Sequence, residues 1–288
     1  MQLSGVTITI LSAIAFGLYP AAAKMAYANG ANASFAIIVT TFARALALAL
    51  FCLATAKPLS PTLHERRTVI SGGFFQALSI FGIIGSLAYL PGPVTIIIMF
   101  THTIMLLLFM AYLGELKLTR VAVLTTLSAL LGVSMVVDVW HNFYNLSLIG
   151  VSLALLAAVA TMSRLYVFGK QVQNTDPAVV GARVFSVATV FTLLLVPVIP
   201  PLPPTTSTGY LWIALCCLSL VLGTFGMFYA IAKSGAFKFS LMIKLEPVFT
   251  ALFSLLIANE LLNSYQYIGM AVVIGSLVSF QLLQPPKT

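Results

Sequence analysis

Lys244, Glu246 and Pro247 stand inside "LMIKLEPVFTALFSLLIANELL", a run that is otherwise almost wholly apolar. An ammonium there can meet a substrate carboxylate, and a carboxyl can carry a proton or meet an ammonium. Pro247 removes a backbone donor and crowds the carbonyl of Ile243, which predicts a kink. On an ideal helix, positions i and i+2 point about 200° apart. Lys244 and Glu246 therefore each need a separate partner, and Arg44 and Lys24 are candidates for Glu246. His102 lies in a second apolar run, on one face with Thr95, Met99 and Met105. An imidazole ionises near neutral pH and can relay protons, although a lone histidine on such a face also serves as a hydrogen-bonded packing residue. Three further faces combine polar and aromatic groups: Gln76, Ser79 and Ser86; Ser12, Phe16 and Tyr19; Thr161, Arg164 and Phe168. Phe225 and Tyr229 add to them. Aromatic rings at helical spacing are packing groups, or they stack on a flat solute.

These residues need helices that tolerate lipid. Of 288 residues 60% are hydrophobic and 7% charged, where a soluble domain carries about 25% charged residues. The mean hydropathy of +1.08 agrees. About 20 apolar residues cross a bilayer. That length marks ten spans, near 3–27, 33–56, 68–90, 93–113, 120–139, 147–168, 177–199, 209–232, 237–258 and 264–283. The first is read as a span and not a signal peptide, because residues 1–5 carry no Lys or Arg. With the N-terminus inside, the inner loops and ends hold Lys57, Arg66, Arg67, Lys117, Arg120, Lys170, Lys233, Lys238 and Lys287, and Lys24 is the exception. This asymmetry predicts that both termini are cytoplasmic. The Asn-x-Ser triplets at Asn32 and Asn145 fall on the outer side and carry little weight. Scattered basic residues argue against nucleic acid as a partner, despite the net charge of +8. Cys52, Cys216 and Cys217 have no metal or redox spacing.

The second half repeats the first. "SGVTITILSAIA" from residue 4 aligns with "IGVSLALLAAVA" from 149, and "IFGIIGSLA" from 80 with "TFGMFYAIA" from 224. Ala43-Arg44 echoes Ala182-Arg183, and Glu115-Leu116 echoes Glu260-Leu261. The main offset is 144–145, half the chain. Two five-span halves, 1–140 and 141–288, must then enter the membrane from opposite sides. The expected fold is all-α, ten transmembrane helices in two inverted-topology repeats, the plan of secondary transporters with a midplane site. Shared features such as Glu115, Glu260, Gly82 and Gly226 read as scaffold, with the glycines at close helix contacts. Lys244 and Glu246 align instead with Met99 and Thr101, and Pro247 with His102. Residues present in one half only are better candidates for substrate chemistry.

"LEPVFTALFSLLIANELL" at 245–262, the Ala-Arg pairs and the doubled plan resemble the EamA-type drug/metabolite transporter superfamily over nearly the whole chain. Its Glu-Pro is matched in the first half by Thr101-His102, a departure from the pattern. Within the superfamily the chain is most similar to YddG-type exporters of aromatic and other amino acids. The resemblance implies a carrier that exports small metabolites from the cytoplasm without ATP.

The function expected is export of small metabolites, amino acids including aromatic ones, across the inner (plasma) membrane by alternating access. A multidrug or other metabolite exporter of the same fold is the nearest alternative, then an integral-membrane lipid enzyme. A channel is a further reading that inverted repeats permit. The expected substrate-binding set is Lys244, Glu246, His102, Phe16, Gln76, Ser79, Tyr229 and Thr161. Arg44, Lys24 and Arg183 are the expected intramembrane charge partners, and Pro247 the kink. No catalytic residue, metal or cofactor is expected: GxxxxGK[ST], HExxH, CxxC and GxSxG are all absent. Of the three histidines, His64 and His141 fall in loops. The expected partners are the small-molecule substrate, the lipid bilayer and, as a candidate, protons. A monomer is compatible with this plan, and the sequence does not set the oligomeric state.

Overall fold

The computed structural model describes residues 4–139, 147–258 and 261–283. Glu260, His141, Asn145 and Lys287 lie outside the described residues. Twelve α-helices make up this part of the chain: α1 (Gly5–Ala28), α2 (Ala33–Ala54), α3 (Leu63–Leu87), α4 (Gly92–Phe100), α5 (His102–Tyr112), α6 (Arg120–Val136), α7 (Leu148–Gln171), α8 (Pro177–Thr192), α9 (Ser207–Ser234), α10 (Ala236–Met242), α11 (Glu246–Ala258) and α12 (Ser264–Leu283). Among the described residues nine helical stretches are long and apolar enough to cross a membrane, counting α4 with α5 and α10 with α11 as one each. The apolar α6 is shorter at 17 residues. Seven starts are set by side-chain caps, from Ser4, Asn32, Thr62, Thr119, Ser147, Asp176 and Thr206. The helix α8 stops earlier than its hydropathy predicts. Pro197 has no N–H to offer Leu193, and the chain tightens into a 3₁₀ turn at Leu193–Leu195.

Helices of the first half pair with helices of the second: α1 with α9, α2 with α8, α3 with α7 and α6 with α12. Small residues let them approach. A Cβ on Gly82 would fall 2.9 Å from Leu153 O and Ala157 N of α7, and one on Gly226 would fall 2.0 Å from Ser12 Oγ of α1. Both glycines thus serve the close helix contacts expected of them. The outer surface is the inverse of a soluble protein's. Leu11, Phe42, Leu50, Leu124, Leu211 and Leu256 are each more than half exposed, while the interior is rich in Ala, Ser and Thr. Apolar surface on this scale requires lipid around it. The chain is a multi-pass membrane protein.

The two ends of the bundle differ. One end gathers the ends of α2, α3, α5, α7, α8 and α9, where Lys57 pairs with Asp176 at 2.8 Å, Glu115 with Lys170 at 2.7 Å and Glu65 with Arg183 at 3.3 Å. Arg183 also donates to the carbonyls of Pro58, Leu59 and Ser60. Bonds at the opposite end run largely through amides, hydroxyls and backbone, as between Asn32 and Pro200 and Leu202, Asn29 and Thr205 and Thr206, and Asn263 and Asp138, and Lys24 also lies there. These are called the basic end and the neutral end below.

Candidate functional site

Two helices that each read as one span are interrupted halfway. Between α10 and α11 the residues Ile243–Leu245 form a 3₁₀ turn. The cause is Pro247: it cannot bond Ile243 O, and the N–H of Glu246 closes the tighter turn on that carbonyl. Glu246 thereby becomes the first residue of α11, where a helix N-terminus favours a carboxylate.

The interruption between α4 and α5, at Thr101, has no proline and no sequence warning. In a continuous helix the N–H of Ile104 would bond Phe100 O, but here it donates to Thr101 O at 3.0 Å. The freed carbonyls are met by side chains. Thr101 Oγ1 donates to Ile98 O at 2.6 Å, His102 Nδ1 meets Met99 O at 2.8 Å, and Lys244 Nζ donates to Phe100 O at 3.1 Å. A carbonyl can only accept, so Nδ1 of His102 carries a proton and Nε2 of the neutral ring is left as an acceptor. Lys244 is fully buried, with Nζ 4.6 Å from the centre of the Phe100 ring. An intramembrane cation costs at least ~2.5–3.5 kcal/mol when unsupported. The carbonyl and the ring face together offset that cost.

Beside these breaks lies a cavity of about 290 Å³. Its polar lining comprises Arg44 and Thr40 on α2, Gln76 on α3, His102 on α5, Thr161 and Arg164 on α7, Thr224 on α9 and Glu246. Phe16 and Tyr19 of α1 form one apolar wall, and Ile37, Ile80, Ile83 and Ile84 another. That second wall runs toward the neutral end, since Ile37 is four residues from the start of α2 and Ile84 three from the end of α3. Toward the basic end the cavity stops on Phe185. This ring packs edge-on against Phe228 at 6.3 Å, and Phe228 packs against Phe168 at 4.9 Å. All three are at most 1% exposed, so they plug that side.

Within the cavity Arg164 Nη1 donates to Gln76 Oε1 at 2.6 Å. Its charge also acts on Glu246, which lines the same cavity. Arg44 is held by Thr40 O and Thr41 Oγ1 of its own helix, both at 3.2 Å, and lies 4.5 Å over the Phe185 ring. Among the described residues no three His, Cys, Asp or Glu side chains gather as metal ligands would.

Of the residues singled out from sequence, the structure brings together Glu246, His102, Phe16, Gln76, Thr161 and Arg44 around one cavity. Ser79 lies just behind it, accepting from Thr161 Oγ1 at 3.1 Å. Lys244 is outside the lining, turned to Phe100 O. Tyr229 lies near Lys57 and Asp176, beyond the aromatic plug. Lys24 is exposed near the end of α1. Arg183 grips the 58–60 loop. Pro247 marks the break. The residues that the sequence set omitted are Arg164, Tyr19 and Thr224. Arg164 shares a helical face with Thr161, and that spacing was the available signal.

Fold and cavity define a multi-pass membrane protein with charged groups held at mid-bundle depth between its two halves. Residues 148–280 match the sequence model of the EamA-like transporter family. A solved structure described as "Crystal structure of protein" shares the fold with a TM-score of 0.79 and 18% identity, over 96% of this chain and 99% of that chain. No curated protein matches the chain.

Proposed function

We propose that the protein is a secondary transporter that exports small metabolites, amino acids including aromatic ones, across the inner membrane by alternating access. The observation that carries this reading is the cavity: it lies between helices of both halves, holds Arg44, Arg164 and Glu246 at mid-bundle depth, and is plugged toward the basic end. The match of residues 148–280 to a transporter family supports it. About 290 Å³ is at the small end of the roughly 300–1,000 Å³ of ligand sites, which suits one amino acid better than a nucleotide sugar. The likeness to YddG-type exporters belongs to the same reading. Two inverted repeats, 1–140 and 141–288, account for the helix breaks at Thr101 and at Ile243–Leu245, which lie close to the repeat offset of 144–145. The lysines and arginines gathered at the basic end support a cytoplasmic location for it and for both termini. Movement of the Phe168, Phe185 and Phe228 plug, carried by the second half, away from Leu48 and Leu106 of the first would then expose the cavity to the cytoplasm. Glu246 and His102 are the groups through which protons could be coupled to transport.

Counterflow in proteoliposomes tests the reading. Vesicles loaded with unlabelled tryptophan should accumulate labelled tryptophan, and Glu246→Gln should change the pH profile of that exchange. Exchange restricted to hydrophobic cations would make the protein a drug exporter. No exchange across amino acids and related amphiphiles would remove the transport assignment.

A further inference from the structure

The polar groups of the cavity are out of electrical balance. Arg44 and Arg164, from different halves, both line it and act on each other with the same sign of charge. Only Glu246 opposes them from the lining. In a low-dielectric interior such a surplus is costly, and the protein's own contacts leave part of it unanswered. Arg164 Nε is buried with no hydrogen-bond partner, and so is the hydroxyl of Thr224, a fully buried residue of the lining. Among the described residues Arg44, only 9% exposed, spends Nε on Thr40 O and Nη2 on Thr41 Oγ1 of its own helix and takes no carboxylate. A role confined to helix packing would account for the Gln76–Arg164 bond but not for two buried donors left open on one cavity.

We propose that Arg44 and Arg164 together bind a carboxylate of the transported molecule, whose apolar body lies along Phe16, Tyr19 and the isoleucine wall. The guanidinium fork matches a carboxylate in shape and charge, and each arginine is already fixed by its own anchor, so little order is lost on binding. The ammonium of an amino acid would face Glu246 and is a secondary contact. Carboxylates without an amine therefore bind, and amines without a carboxylate do not. This inference rests on the transporter reading for the meaning of the cavity, but binding can be measured apart from transport.

The test is a thermal-shift titration of the purified full-length protein with three probes of one shape: tryptophan, indole-3-propionate and tryptamine. Tryptophan and indole-3-propionate should raise the melting temperature in a saturable way, and tryptamine should not. Arg164→Gln should weaken both carboxylates about tenfold or more, with Arg164→Lys intermediate. If Arg164→Gln is not monodisperse, Arg44→Gln takes its place, and the wild-type panel decides on its own. Equal stabilisation by tryptamine, or none by any probe, overturns the proposal. Counterflow of the same probes separates the two claims: carboxylate-dependent binding without exchange would sink the transport assignment alone, and exchange of tryptamine alone would sink the carboxylate site alone.

Discussion

The two ends of the bundle hold the same two halves together by different chemistry. At the basic end three ion pairs cross between the halves: Lys57 to Asp176, Glu115 to Lys170 and Glu65 to Arg183. Beneath them lie three buried phenylalanines, all carried by the second half and packed on one another. At the neutral end the crossing bonds run largely through amides, hydroxyls and backbone, as from Asn32 to Pro200 and Leu202 and from Gln266 to Val136 O. The apolar wall of the cavity also runs toward that end. Charge pairs respond to salt and pH, and amide bonds largely do not. The closure on the basic side is therefore the one that solution conditions can tune.

The largest effect should come from Arg183, which holds one carboxylate and three carbonyls of the α2–α3 loop. Arg183→Ala should lower stability by about 2–3 kcal/mol, read as a fall in melting temperature in detergent. Arg183→Lys should rescue only part, because an ammonium cannot reach all four acceptors. Next is the neutral end. Asn32 caps α2 through Phe35 N and ties it to the 200–202 segment. Asn32→Ala should cost about 1–2 kcal/mol, and this loss should be the same in low and high salt. A loss that shrinks with added salt would blur the contrast between the ends.

The smallest effect is a pH dependence confined to the basic end. Lys170 holds the Glu115 carboxyl below the usual carboxylate range. Its contribution to stability is thus complete above the unfolded value of about 4.3 and is lost as pH falls through the lower folded value. Asp176 holds the Lys57 ammonium above its usual value. That contribution is complete below about 10.4 and is lost as pH rises through the folded value. Melting temperature followed from neutral to acid should therefore fall, and Glu115→Gln should flatten part of the acid limb.

Much of the cavity was legible from helical spacing, because Phe16, Gln76, Thr161 and Glu246 each sit on a mixed face that ought to turn inward. Spacing states direction around a helix but not which neighbour is met. Tyr229 is only two residues beyond the lining residue Met227, about half a turn, and that turns it away from the cavity toward Lys57 and Asp176. Arg164 shared a face with Thr161, but only the fold sets its guanidinium beside Glu246 and Gln76. Lys244 stood out because the first half has no counterpart for it. That asymmetry answers another: the first half breaks at Thr101 without a proline, and the lysine supplies the donor that Phe100 O has lost. A break without proline leaves no mark in sequence, so the need for a lysine opposite it could not be read there.

The bond from Lys244 to Phe100 spans 144 residues, the proposed repeat distance. Partners so nearly equivalent must meet close to the line that exchanges the two halves. Points near an axis of rotation move least when the halves turn against each other, while points at the ends travel farthest. In the alternating-access cycle proposed above, a side chain fixed there would act as a pivot pin, with the ion pairs and aromatic plug at the basic end as the load on the long arm of the lever.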